Sequence, residues 1–331
     1  LQSFGPSGTS PETQVGDSLD PQIRRFVSAL AEAWAQHPEV ASLPVTEKRR
    51  IAEIVRTPWR QGGPVMTETR DISLATRHGP VRARLHRPTG GDEALPALIY
   101  LHGGGWTMFS LDTHDRIMRE LAARSGATVV GIDYSLSPEA KFPQALEEIV
   151  DAVRGLHGQA RALGIDPERF AIGGDSAGAN LSVTTSLLLR DAGTGPALRG
   201  MLLIYGCFID EISPEASSGF GADGNLLTTA EMATFWHNYL VRPEEVLNPL
   251  VSPLRAELAG LPPAFVIGAQ CDVLAEQSRA FDAKLSQAGV DVQFIEYAGA
   301  THSFLEAVSI ADVAERAIAD GAAWLRKSFQ Q

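Results

Sequence analysis

With 331 residues, 44% of them apolar, the chain can bury a sizeable core as one large domain or two small ones. A formal charge of −12 repels phosphate backbones, and the longest basic cluster is only Lys48, Arg49 and Arg50, so no nucleic-acid partner is expected. No stretch reaches the roughly 18 consecutive apolar residues of a membrane-spanning helix, which argues against integral membrane association. Cys207 and Cys271 are the only cysteines and form no CxxC pair. They read as two buried thiols in a reducing, cytoplasmic compartment.

The chain starts without methionine, as a processed terminus would, and shows no charged-then-apolar leader pattern. Its Ser, Gly, Thr and Pro content predicts a disordered tail over residues 1–16. A helix follows in "DPQIRRFVSALAEAW", with Asp20 as N-cap, Pro21 at the first helical position, and Ile23, Phe26, Val27, Leu30 and Trp34 along one apolar face. A second helix is expected over Thr46 to Arg56, closed by Pro58. Residues 17–60 thus make an N-terminal helical segment.

From Asp71 onward, short apolar strands alternate with amphipathic helices. The strand candidates are 71–75, 81–87, 95–101, 128–134, 169–173, 201–205, 264–269 and 292–297; the helices are 113–124, 143–163, 177–190, 276–288 and 311–327. This alternation predicts an α/β protein over residues 61–331, with a mostly parallel sheet of eight strands covered by helices and begun by a hairpin-like pair. Between Gly206 and Pro262 the rhythm breaks for an acidic loop and one aromatic-rich helix, "TTAEMATFWHNYL". Such an insertion, about 207–250, reads as a lid or binding element.

The stretch "FAIGGDSAGANLS" puts Ser176 between Gly174 and Gly178 where a strand gives way to a helix. The G-x-S-x-G pattern presents a serine hydroxyl on a sharp turn at the top of the sheet; an ordinary serine N-cap is the competing reading. A nucleophilic serine needs a base, and a carboxylate to orient that base. Only His237 and His302 follow Ser176, and His302, just past the last strand, is the better placed. Asp272, at the end of "AFVIGAQCD", is the acid, with Glu276 as fallback. "LHGGGW" offers backbone N–H groups for an oxyanion, and Gly104, Gly105 and Ala177 are assigned as donors; a merely flexible turn is the alternative. Asp112, His114 and Asp115 have a metal-like look, but "DTHD" reads rather as an acidic helix N-terminus, and no metal is assigned. Trp106, Phe109, Phe208, Phe220, Phe235 and Trp236 are pocket candidates, although aromatics at helical spacing also suit a core.

Together "HGGGW", "DYSLSPE", "GDSAGAN" and "SPLRAELAGLPP", with Asp272 and His302, resemble the hormone-sensitive-lipase-like carboxylesterases of the α/β hydrolases. The resemblance runs from about Asp71 to the C-terminus. It implies a triad of Ser176, Asp272 and His302, an oxyanion hole at Gly104, Gly105 and Ala177, and a cap made by the N-terminal helices and the insertion. It also implies short- to medium-chain acyl esters as small-molecule substrates, no cofactor, and a homodimer. Three stretches depart from the family pattern: Ser135 replaces an arginine, Val273 and Glu276 alter the stretch after the acid, and Ser303 stands where the family has glycine. A lipase, amidase or lactonase would use the same machinery, and a non-catalytic binding protein on this scaffold would lack a triad member. A haloalkane-type hydrolase would carry an aspartate nucleophile.

Overall fold

The computed structural model describes residues 18–91 and 93–331; the tail expected over residues 1–16 lies outside them. The chain forms an eight-stranded sheet in the order β1-β2-β4-β3-β5-β6-β7-β8. The strands are β1 (Glu68–Leu74), β2 (Val81–Arg87), β3 (Leu95–Leu101), β4 (Thr128–Asp133), β5 (Ile165–Asp175), β6 (Leu198–Ile204), β7 (Ala264–Cys271) and β8 (Val292–Thr301). β2 is antiparallel to both β1 and β4, and every other pair is parallel.

The central strands read as unbroken apolar runs because both of their faces are covered. Along β3, alternate residues sort to opposite sides. Ala97, Ile99 and Leu101 join Ile149, Val153 and Leu181 on one side, while Leu98 and Tyr100 join Phe26, Leu121 and Ile318 on the other. The first set meets α4 (Gln144–Gly158) and α5 (Ala177–Ala192); the second meets α1 (Pro21–Ala35), α3 (Asp115–Ser125) and α9 (Asp312–Ser328). Completing the layers are α2 (Val45–Arg60) and α8 (Ala275–Gln287).

Helix α1 starts as its sequence predicts, with Asp20 Oδ1 accepting from the N–H groups of Gln22 and Ile23. Its apolar face divides: Ile23, Phe26 and Leu30 are fully buried, whereas Val27 and Trp34 face the cleft described below. Helix α2 runs past Pro58 to Arg60, a correction to the expected stop. Pro58 falls in the last turn, where the carbonyl it leaves without a donor sits near the helix end. The segment expected as one helix over 143–163 is α4 followed by a 3-10 turn at Ala160–Leu163. The insertion carries two helices rather than one, α6 (Pro214–Phe220) and α7 (Thr229–Tyr239). Ser213 caps α6 with Pro214 at its first position, and Thr228 with Glu231 forms a capping box on α7.

Candidate active site

The register of the sheet brings the motifs to one edge. Leu101 pairs with Gly174, Asp175 with Ile204, and Cys271 with Thr301. The residues that follow these carboxyl ends are His102–Gly105, Ser176, Asp272 and His302, the usual position for a ligand in a parallel sheet.

Ser176 occupies the turn between β5 and α5 with φ 54° and ψ −118°, in the positive-φ region that a non-glycine residue seldom adopts. Glycines flank it of necessity: a Cβ at Gly174 or Gly178 would run into the Leu101 carbonyl oxygen. Ser176 N–H donates to Ile204 O at 2.9 Å, fixing the turn to β6. His302 Nε2 lies 3.0 Å from Ser176 Oγ, and His302 Nδ1 lies 2.8 Å from Asp272 Oδ2. A carboxylate only accepts, so Nδ1 donates to Asp272 and Nε2 of the neutral ring is left to accept from the serine. Leu274 N–H holds the other oxygen of Asp272 at 3.0 Å. All three side chains are buried, at 6%, 2% and 6% exposure for Ser176, Asp272 and His302. Of the competing assignments, Glu276 is exposed in the first turn of α8 and His237 is exposed on α7; neither joins the arrangement.

Each glycine of the "HGGG" loop has its own reason. A Cβ at Gly103 would meet the Asp175 carboxylate, at Gly104 the Met108 carbonyl, and at Gly105 the Phe235 ring; Gly104 and Gly105 also have φ of 112° and 57°. Gly104 and Gly105 line a cleft with Ser176 and His302. The N–H groups of Gly104, Gly105 and Ala177 donate to no acceptor among the described residues, so these donors are free to meet an anionic oxygen.

A buried polar network beneath the site escaped the sequence reading. Asp175, 3% exposed, accepts from Tyr100 Oη at 2.7 Å, Gly103 N at 3.0 Å and His114 Nε2 at 3.3 Å. It thereby ties the serine turn to the glycine loop. Burial pushes the Asp175 carboxyl up, but the His114 charge and the hydrogen bonds from His114 and Tyr100 outweigh it and hold it below the usual carboxylate range. His114 shifts the opposite way: burial opposes its charge, and Asp175 more than restores it. His102 is driven down to about 4 by burial and by the charge of His114. Its Nδ1–H donates to Gly103 O at 2.7 Å, and its ring stacks on Tyr134 with centroids 4.6 Å apart. The acids beside His114 are engaged in ion pairs, Asp112 with Arg84 at 2.6 Å and Asp115 with Arg119 at 2.7 Å.

The departures from the family pattern are accommodated locally. Ser135 N–H and Oγ both donate to buried Glu148, at 2.8 Å each. A cation reaches this loop from elsewhere: Arg49 of α2 pairs with Glu139 at 2.7 Å. Ser303 takes the left-handed φ of 60°, the conformation that glycine adopts at no steric cost.

Of the six aromatic pocket candidates, Phe109 and Phe235 line the cleft. The other four do not. Trp106 is 1% exposed, stacked on Tyr239 at 4.3 Å and 4.7 Å from Trp236; Phe208 stacks on Phe281 at 4.0 Å; Phe220 sits half-buried at the end of α6. Val27 and Trp34 of α1, with Leu226, Leu227 and Met232 of the insertion, complete the apolar wall instead.

A sheet in this order, carrying a serine on a strained strand-to-helix turn, defines an α/β hydrolase, and the alpha/beta hydrolase fold model matches residues 98–306. The chain belongs to that family, within the hormone-sensitive-lipase-like group whose motifs it carries. It is 34% identical to a hyperthermophilic esterase from the archaeon Pyrobaculum calidifontis, covering 93% of this chain and 98% of that one with a TM-score of 0.86. It is likewise 34% identical to a thermostable carboxylesterase cloned from a metagenomic library, over 88% and 99% of the two chains with a TM-score of 0.84. A thermostable esterase from Pseudomonas putida is 29% identical over 98% and 100%, with a TM-score of 0.86. No helix among the described residues is long and apolar enough to cross a membrane.

Proposed function

We propose that the chain is a serine carboxylesterase hydrolysing short- to medium-chain acyl esters through Ser176, His302 and Asp272. The observation that carries this reading is the continuous chain from Ser176 Oγ to His302 Nε2 at 3.0 Å and from His302 Nδ1 to Asp272 Oδ2 at 2.8 Å. Ser176 Oγ attacks the ester carbonyl while its proton passes to His302 Nε2. The carbonyl π-electrons move onto oxygen, and the N–H groups of Gly104, Gly105 and Ala177 receive that oxyanion. Collapse breaks the bond to the alcohol oxygen, which takes the proton from His302 and leaves an acyl-Ser176 ester. Water then repeats the sequence: His302 accepts its proton, its oxygen adds to the acyl carbon, and Ser176 departs with the proton restored. Asp272 orients the imidazole and stabilises its cation throughout.

Initial rates on p-nitrophenyl esters from acetyl to palmitoyl, with Ser176→Ala in parallel, test the reading. Turnover with a maximum at short acyl chains that falls at least about a thousandfold in Ser176→Ala is the expected result. Undiminished activity in the variant would refute it.

A further inference from the structure

The cleft beside Ser176 and His302 has a volume of about 630 Å³, and one of its walls is cationic. Lys48 and Arg56, both on α2, line it and lie a little over two helical turns apart, about 12 Å along the axis. Arg56 is 5% exposed, with its guanidinium carbon 4.8 Å from the centre of the Phe109 ring. Its Nη1 lies 2.7 Å from Glu306 Oε2, the two side chains each 6% exposed. Its charge is thus answered by Glu306. Lys48 is half-buried, and its side chain has no partner among the described residues.

The protein supplies no acceptor for Lys48 among the described residues. Around these cations the lining is largely apolar, with Val27, Trp34, Phe109 and Phe235 among its residues, and Glu231 is its one carboxylate among the described residues. Glu231 Oε2 is already taken by Thr228 N and Oγ1, at 2.9 and 3.0 Å. Glu306 pairs with Arg56 and Glu231 is held at Thr228, so Lys48 is the cation of this lining that no anion among the described residues meets, in a molecule of net charge −12. Buried donors without acceptors are unfavourable unless something brings an acceptor to them.

Building on the esterase reading, we propose that the substrate is an ester carrying a carboxylate on the arm that lies along α2, as in a monoester of an aliphatic dicarboxylic acid. Ser176 attacks the ester carbonyl, the methylene spacer lies against the apolar wall, and the carboxylate is met by the ammonium of Lys48. Lys48 is then a specificity-determining residue, acting on the end of the substrate remote from the reacting bond.

The test compares monoethyl with diethyl adipate and suberate, following released acid in a pH-stat. In the wild type the kcat/KM ratio of monoester to diester should exceed about ten at low salt and fall as sodium chloride is added, since a partly exposed charge pair is screened. Lys48→Met should lower that ratio at least tenfold, and Lys48→Glu further. Arg56→Met would strand Glu306 without its counter-ion, so Lys48 carries the test. Serine-dependent hydrolysis with a ratio at or below one, or with a ratio unchanged in Lys48→Met, overturns the proposal and leaves the esterase reading standing. Absence of turnover on every ester is instead the failure of the esterase reading. Calorimetric titration of Ser176→Ala with adipate then decides the cationic site separately: adipate binding weakened at least tenfold by adding Lys48→Met supports it, and no binding overturns it.

Discussion

Asp175 stands next to Ser176 in sequence, and its carboxylate takes no part in the chain of hydrogen bonds through Ser176, His302 and Asp272. It gathers Tyr100, Gly103 and His114, so one side chain joins the serine turn, the glycine loop and the start of α3. Burying a charged pair is worthwhile only when hydrogen bonds complete it, and here they do. Asp175→Asn removes the counter-ion of His114, and we expect it to cost about 3–5 kcal/mol of stability and to lower kcat through the displaced glycine loop. The contribution of His114, whose pKa is raised from 6.5, is fully present below 6.5 and is lost as pH rises through its raised value. That of Asp175, lowered from 3.8, is present above 3.8 and is lost as pH falls through its lowered value. The stability difference between wild type and variant should therefore be largest between about pH 4 and 6.5 and narrow above that window; urea unfolding at several pH values measures it. The sequence disclosed His114 only as part of "DTHD", because partners 61 positions apart meet through the sheet and leave no local pattern.

Elements rather than single side chains decide how the cap region meets the catalytic edge. Helix α2 sends Arg49 to the carbonyls of Thr107 and Ser137, both at 2.7 Å, and to both oxygens of Glu139. Thr107 N–H donates to Gly104 O at 3.0 Å, and Ser137 N–H to Trp106 O at 2.8 Å. Arg49 therefore staples α2 to the loops that follow β3 and β4, a task that its planar fork suits and an ammonium does not. Arg49→Met is expected to lower kcat about tenfold or more with a smaller change in KM, and Arg49→Lys to recover only part of it; steady-state kinetics on a short acyl ester checks both. Helix α7 closes from the other side, with the Phe235 ring against Gly105. Its start was readable from "TTAE", a Thr-x-x-Glu box. The start of α6 was equally written in "SPEA", with serine as cap and proline at the first position, and was passed over because the surrounding Gly and Ser residues read as loop. That Arg49, 88 positions before Ser137, reaches the loop of "DYSLSPE" is a contact that only folding could reveal.

At the scale of the molecule, acid stability follows from what the sheet buries. His102 is fully buried with its pKa driven to about 4, against 6.5 when exposed. A depressed pKa adds stability that is full above 6.5 and declines as pH falls through about 4. Unfolding midpoints in urea should therefore drop between pH 7 and 4, and His102→Gln should flatten that limb by removing the group that must take up a proton on unfolding. What the sequence determined by itself was what is written in local periodicity and in short motifs. Apolar runs of strand length alternating with amphipathic helices specify a covered parallel sheet, and glycines around Ser176 and after His102 mark backbone crowding that no other residue tolerates. The order of Ser176, Asp272 and His302 was legible for the same reason, since each lies directly after a strand. The tertiary structure alone decided which aromatics face the cleft, that Asp175 and His114 pair beneath it, that Arg49 braces the loops, and that Lys48 lines the cleft without an acceptor among the described residues. These are properties of surfaces meeting across long stretches of chain, where crossing angles and register choose the neighbours and sequence spacing does not.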